Sequence, residues 1–371
     1  MSKNIREIPL TEMVERIHEL ARIREEVSKK VRGVVNDIYV RDIPRKEDWS
    51  FLIATSSLTF IQEYTTGNAT INTSGSTVTF SSTVTVDSTM IGRKIKFASN
   101  DYVYNVSGLS SSTGITISPP LSGTQNISGQ SYSMFQPIYA LAGDFERFPK
   151  NGGLHIFQGG QKKTVMEQSY QHYVDNFIPS ANDNTDFCRL VGNDTAGNRL
   201  IEVVPPPKNA LSAEYDYYRQ VYPMRETTSG LIGNISASGT SVIGDSNTRF
   251  TEARTGDYFR INNFGTGSDS EWYRIIAISG NSGLTLQTAF GLSGATSAGY
   301  TICSSPDIPT MIHPGVMYGA LAAILADQDD PMALAYKQEY ANVLTDGKRI
   351  YKTRTYNKEI ATIAEDYQYR R

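Results

Sequence analysis

Ile91-Gly92-Arg93-Lys94-Ile95-Lys96-Phe97 and Thr255-Gly256-Asp257-Tyr258-Phe259-Arg260-Ile261 share one pattern, a turn glycine followed by a short alternating strand. Working outward from them, Tyr104 falls opposite Tyr273, and Gly114-Ile115-Thr116-Ile117 opposite Gly283-Leu284-Thr285-Leu286. Leu121-Ser122-Gly123 then aligns with Leu292-Ser293-Gly294, and Ser131-Tyr132-Ser133-Met134 with Gly299-Tyr300-Thr301-Ile302. Chance likeness between Ser/Gly/Thr-rich segments is the competing explanation, but the fragments keep their order. They predict an internal repeat of two β modules, residues 65–136 and 227–305, each large enough for a small sandwich or barrel.

Subtracting the modules leaves residues 1–64, 137–226 and 306–371 as a discontinuous core. Apolar residues from Leu10 to Val31, continuing through Val34, Val35, Ile38 and Tyr39, have the spacing of one long amphipathic helix. Thr11 is its expected N-cap and Pro44 its stop. The middle third reads as an antiparallel meander, with strands at Leu154–Phe157, Asn198–Val204 and Ser212–Tyr222. In the last third, Val316, Met317, Leu321, Ile324 and Leu325 share a helix with small Gly319, Ala320, Ala322 and Ala323; Asp330-Pro331 then reads as N-cap and N1 of a second helix. The expected class is therefore α+β: a helical core with an N-terminal long helix, a central antiparallel β meander and a C-terminal helical hairpin, interrupted by two related small β-sandwich or β-barrel modules.

The formal charge of −3, with both signs interleaved, provides no basic surface for neutralising phosphates and argues against sequence-specific DNA binding. Cys188 and Cys303 stand far apart without a CxxC, so neither a disulfide framework nor a zinc site is expected, and a single bridge between them stays open. Glu7, Glu12 and Glu15 interrupt the stretch where a secretory signal needs apolar residues, which points to folding in a reducing cytoplasm. The best apolar run, Val316 to Ala326, is too short to cross a bilayer, so no membrane partner is expected.

No nucleophile elbow, phosphate loop or dinucleotide fingerprint is present. His18-Glu19 lacks the second histidine of a helical zinc site and reads as helix surface. Asp327, Asp329 and Asp330 lack the glycine and terminal glutamate of a calcium loop and read as helix capping. Glu146 with Glu167, or Asp144 with Asp175, could form an acid pair, but no spacing makes either specific. The sequons at Asn68, Asn105, Asn126 and Asn234 read as β-turns. Neither enzyme activity, cofactor nor metal is expected. Two sets of contact residues are: Lys352, Arg354, Tyr356, Tyr367, Tyr369, Arg370 and Arg371 in a basic, aromatic tail suited to docking, and Tyr102, Tyr104, Trp272 and Tyr273 in the β modules. The four module aromatics lie in alternating apolar runs, which favours strand core over contact.

Three stretches resemble the head-to-tail adaptor (head completion, neck) proteins of tailed bacteriophages. The first is Val34-Val35-Asn36-Asp37-Ile38-Tyr39 followed by Asp48-Trp49-Ser50-Phe51-Leu52 and Thr55 to Phe60. The second is Pro137-Ile138-Tyr139-Ala140-Leu141-Ala142-Gly143-Asp144-Phe145, similar to a Leu-Pro-x-Asp-Phe-like turn, with Ala142 where the family usually has proline. The third runs from Ile308-Pro309 to Ala326 and from Asp330 to Leu344. The resemblance implies a ring of about twelve copies beneath the portal, in the virion's head-tail junction, that extends the DNA channel and offers a platform to the next tail or neck component. It implies that helices 10–43 and 316–346 form the ring body and that the tail from Lys352 docks in the portal. The β modules lie outside the common core; contact with the capsid, or receptor binding and decoration, are the roles expected for them.

Overall fold

A computed structural model describes residues 7–22, 28–81, 83–123, 125–150, 152–158, 161–176, 180–228, 233–262, 270–290 and 295–352. Among them the chain is mostly β, with three curled sheets of eight, eight and seven strands, and this overturns the expected helical core. The strands come largely from short alternating runs whose apolar members enter a core, such as Thr77–Phe80 and Tyr258–Ile261. Two compact units result, one of residues 1–51 and 221–371, the other of residues 52–220.

The second unit contains a central sheet and the first β module. The central sheet runs in the order Ile53–Thr59, Ser212–Arg219, Gly153–Gln158, Gln161–Glu167, Phe187–Asn193, Arg199–Val204, Ile138–Ala140, with Phe145–Arg147 also on Ser212–Arg219. It is not the expected meander. Met166 and Glu167 pair in parallel with Phe187 and Cys188, and the last strand in sequence inserts beside the first. Its interior is closed by Phe60, Tyr139, Phe145, Phe148, Tyr215 and Tyr217, each worth roughly 1.5–3 kcal/mol of apolar burial. Gly153 is required here, because a Cβ would lie 2.1 Å from the Val165 carbonyl oxygen.

The first module orders its strands Tyr132–Phe135, Lys94–Phe97, Val103–Ser111, Gly114–Ser118, Thr77–Phe80, Ala69–Ile71, Ile127–Gln130. The second, in the other unit, has the matching order Tyr300–Cys303, Tyr258–Ile261, Tyr273–Ile278, Gly283–Leu286, Ser241–Gly244, Ile235–Ser238, Ala295–Ala298, preceded by Glu226–Thr228. In each, the two ends of this path are consecutive strands separated by one residue, Ser131 or Gly299, so the sheet curls back towards itself as an open barrel, called a barrel below. Backbone bonds agree in detail. Gly92 N–H donates to Val106 O at 2.9 Å and Gly256 N–H to Ile275 O at 2.8 Å, both glycines having positive φ. One pairing read from sequence is corrected: Leu121 N–H bonds Gly75 O as Phe290 N–H bonds Gly239 O, so the counterpart of Leu121 is Phe290 and not Leu292.

The helices of the first unit are α1 (Leu10–Ala21), α2 (Ser28–Asp37), α3 (Ile43–Lys46), α5 (His313–Ala326) and α6 (Met332–Tyr351); α4 (Tyr170–Asn176) belongs to the second. The single long helix of the sequence reading is thus replaced by shorter ones. Arg22, left-handed at φ 51°, ends α1, which is preceded by Pro9 while Thr11 is buried in its first turn. Pro44 does not stop the path, since a π-turn at Ile38–Asp42 with Ile43 N–H on Ile38 O sets α3 going before the missing proline donor is needed. Helices α5 and α6 form the expected hairpin. A Cβ on Gly319 would sit 3.0 Å from Ile38 and 3.3 Å from the Tyr340 ring, which explains the small residues there. Helix α6 starts at Met332, whose N–H is capped by the Asp330 carboxylate at 2.8 Å.

Candidate functional site

The expected tail lies mostly outside the described residues: Arg354, Tyr356, Tyr367, Tyr369, Arg370 and Arg371 do so, and only Lys352 is placed. Lys352 is extended, bridges Trp49 antiparallel, and shares Glu47 with Lys348, each ammonium 3.3 Å from the carboxylate. Burial pushes the Glu47 carboxyl up, but the hydrogen bonds and charges of Lys352 and Lys348 outweigh it and hold the group below the usual range. Trp49 is fully buried, donates to Ile43 O at 2.8 Å and stacks on Phe51, which meets Tyr351 edge-on. The root of the tail is therefore fixed by packing as well as by charge.

The four module aromatics divide between the two units, Tyr102 and Tyr104 in one and Trp272 and Tyr273 in the other. Tyr102 is 63% exposed, whereas Tyr104 is buried and its hydroxyl accepts from Asn100 Nδ2 and from Ser122 N–H, both at 3.0 Å. Trp272 is half-buried beneath the Arg260 guanidinium, 4.6 Å from the ring centre, and Tyr273 packs on Phe290. Tyr102 precedes the strand Val103–Ser111 and stays exposed, whereas Tyr104 lies within it and points into the core.

Two charge clusters were not singled out from sequence. In the second unit Glu202, 2% exposed, receives Arg189 Nε at 2.9 Å and Nη2 at 2.6 Å on Oε2, while Lys94 Nζ of the first barrel stands 3.9 Å from Oε1. The Arg189 guanidinium lies 3.5 Å over the Tyr173 ring of α4. The signal was readable: a charge inside the apolar run Leu200-Ile201-Glu202-Val203-Val204 must find partners when that run is buried. In the first unit, Tyr258 donates to Glu7 at 2.5 Å and Arg260 holds Glu15 at 2.6 Å, fastening the second barrel to the N-terminal segment and α1. Lys94 and Tyr258 occupy equivalent strand positions, so each barrel is seated by the same strand.

Groups capable of chemistry are committed to the fold. Cys188 and Cys303 are both free thiols; burial pushes each up to about 12, which keeps them protonated and unreactive. Asp144 accepts the Tyr217 hydroxyl at 2.6 Å, Glu167 is raised by burial, and the Asp175 side chain lies outside the described residues. Asp327 pairs with Lys30 of α2 at 2.5 Å while Asp330 caps α6, so these two acids of the α5–α6 connection have different partners. His18 lies beside Ser28 Oγ at 3.0 Å. Among the described residues no three His, Cys, Asp or Glu side chains gather as metal ligands, and no helix is long and apolar enough to cross a membrane. Compared with known proteins, the chain matches no family profile and no curated protein.

Proposed function

We propose that the chain is a structural adaptor at the head-tail junction of a tailed phage, assembling as a ring of about twelve copies under the portal. The resemblance of its helical and Pro137–Phe145 segments to such adaptors supports this reading. The observation that carries it is the anchored root of the C-terminal tail, where Glu47 grips Lys348 and Lys352 and Trp49 bridges Lys352. A basic, aromatic tail leaving a rigid root can order on a partner without loosening the body it leaves. In this reading the partners are further copies of the chain, the portal, and the next tail or neck protein; DNA passes without sequence-specific contacts, and the protein is made in the bacterial cytoplasm.

The test mixes purified chain with portal and measures the mass of the product. Ring-sized complexes that are lost on removing residues 353–371 support the proposal. A chain that stays monomeric with portal at all concentrations overturns it.

A second reading, receptor binding or decoration of the capsid or neck through the β modules, is favoured by their shared strand order and by exposed Tyr102. Deleting residues 65–136 or 227–305 separates the two. Infectious particles without a barrel place the essential role in the rest of the chain, and particles that assemble but no longer adsorb place it in the barrels.

A further inference from the structure

The imidazole of His313 is fully buried at the first turn of α5, with both ring nitrogens committed. Ile8 N–H donates to Nδ1 at 3.1 Å, and Nε2 stands 3.0 Å from the Ile308 carbonyl oxygen. Only the neutral ring protonated at Nε2 satisfies both contacts. The segment held this way is tied down at further points: Leu10 N–H on Ser304 O at 3.0 Å, and the Glu7 carboxylate between Tyr258, Arg274 and Ser305.

A proton added at Nδ1 would face the Ile8 N–H donor to donor, on a ring with no solvent exposure. It would also place a cation at the positive end of a fourteen-residue helix. The charged or titratable groups on the surrounding elements are Glu7 on the held segment, Tyr258 and Arg274 of the second barrel beyond it, Asp307 on the loop before α5, and Tyr39 of the π-turn, which accepts Asp307 N–H. Burial dominates and holds the ring below the ordinary histidine range, although the Ile308 carbonyl, Glu7 and the Pro306 backbone favour the imidazolium.

We propose that His313 is an acid-released latch: its neutral ring holds residues 7–10 against α5 and the second barrel, and protonation frees that segment while the helical hairpin stays folded. Buried Ile8 and Leu10 would then be exposed. This inference does not depend on the adaptor reading.

The test is hydrogen exchange of the full chain from about pH 7.5 down to about pH 4.5, corrected for intrinsic rates, a span that reaches below ordinary histidine titration because burial lowers this ring. In wild type, amides 10–14 should lose protection by about tenfold or more on acidification while α5 and α6 keep theirs. His313→Gln retains an acceptor and a donor but takes no proton, and should keep the segment protected throughout that span. Ring NMR of His313 in wild type gives a readout independent of the variant, and its titration midpoint should match the loss of protection. Unchanged protection in wild type, equal loss in His313→Gln, simultaneous loss in α5 and α6, or a ring titration elsewhere in pH each overturns the latch.

Discussion

Replacing Arg189 with Met removes both strong contacts to Glu202 and the cation over Tyr173, leaving a carboxylate only 2% exposed with Lys94 at 3.9 Å and the Tyr173 hydroxyl at 3.5 Å. Removing one partner of a buried pair costs about 3–5 kcal/mol, and the remaining Lys94 places Arg189→Met near 3 kcal/mol. The double change Arg189→Met with Glu202→Leu should recover most of this, because an apolar pair has no charge to desolvate. The assay exploits where the tryptophans fall. Trp49 and Trp272 are the protein's two, and both belong to the unit of residues 1–51 and 221–371, so tryptophan fluorescence reports that unit while far-UV circular dichroism reports both. In urea, Arg189→Met should bring forward a dichroism transition and leave the tryptophan transition in place. A loss below about 1 kcal/mol, or a double variant as weak as the single one, would refute the assignment of Glu202 as a buried charge dependent on Arg189.

Gly319→Leu should destabilise the α5–α6 hairpin by about 1–3 kcal/mol or more, read as an earlier tryptophan transition, because Ile38 and Tyr340 already stand within 3.3 Å of where its Cβ would be. Both thiols should resist a thiol reagent at about pH 8 in the native chain and react fully in denaturant, with no disulfide found by mass; fast native reaction of either would contradict its burial. Burial raises the Asp257 carboxyl, with the Arg254 N–H opposing, so its ionisation costs stability as pH rises through the folded pKa. Asp257→Asn should therefore stabilise the second barrel at about pH 7 and make little difference below the ordinary Asp range; a destabilised variant at neutral pH would reverse that sign.

The repeat was legible because its signals are local. Gly92 and Gly256 sit at positive φ before equivalent strands, and Tyr132 and Tyr300 enter equivalent cores. Strand order is not local, which is why the parallel pair of Gln161–Glu167 with Phe187–Asn193 was invisible. The Leu121 to Leu292 match failed for a related reason, since likeness of letters competed with a backbone bond that only the curled sheet defines. In the helical part, periodicity carried across Arg22 because apolar spacing does not register a left-handed residue, and Pro44 was over-read because a π-turn precedes it. The tail was singled out by composition, which marks docking chemistry but gives no geometry. The clamp on its root needed Glu47 and Lys352, far apart in sequence, to be seen together.

Each barrel begins and ends on neighbouring antiparallel residues, Tyr64 opposite Met134 in one and Glu226 opposite Cys303 in the other. To the surrounding chain, a whole barrel is therefore equivalent to the turn of a β-hairpin. Its two ends are already at strand spacing, so rejoining the chain there adds little closure entropy, and what the host loses is the seating through Lys94 in one case and Tyr258 and Arg260 in the other. A two-residue turn could stand in for either barrel, and a foreign domain with adjacent termini could be carried at the same point.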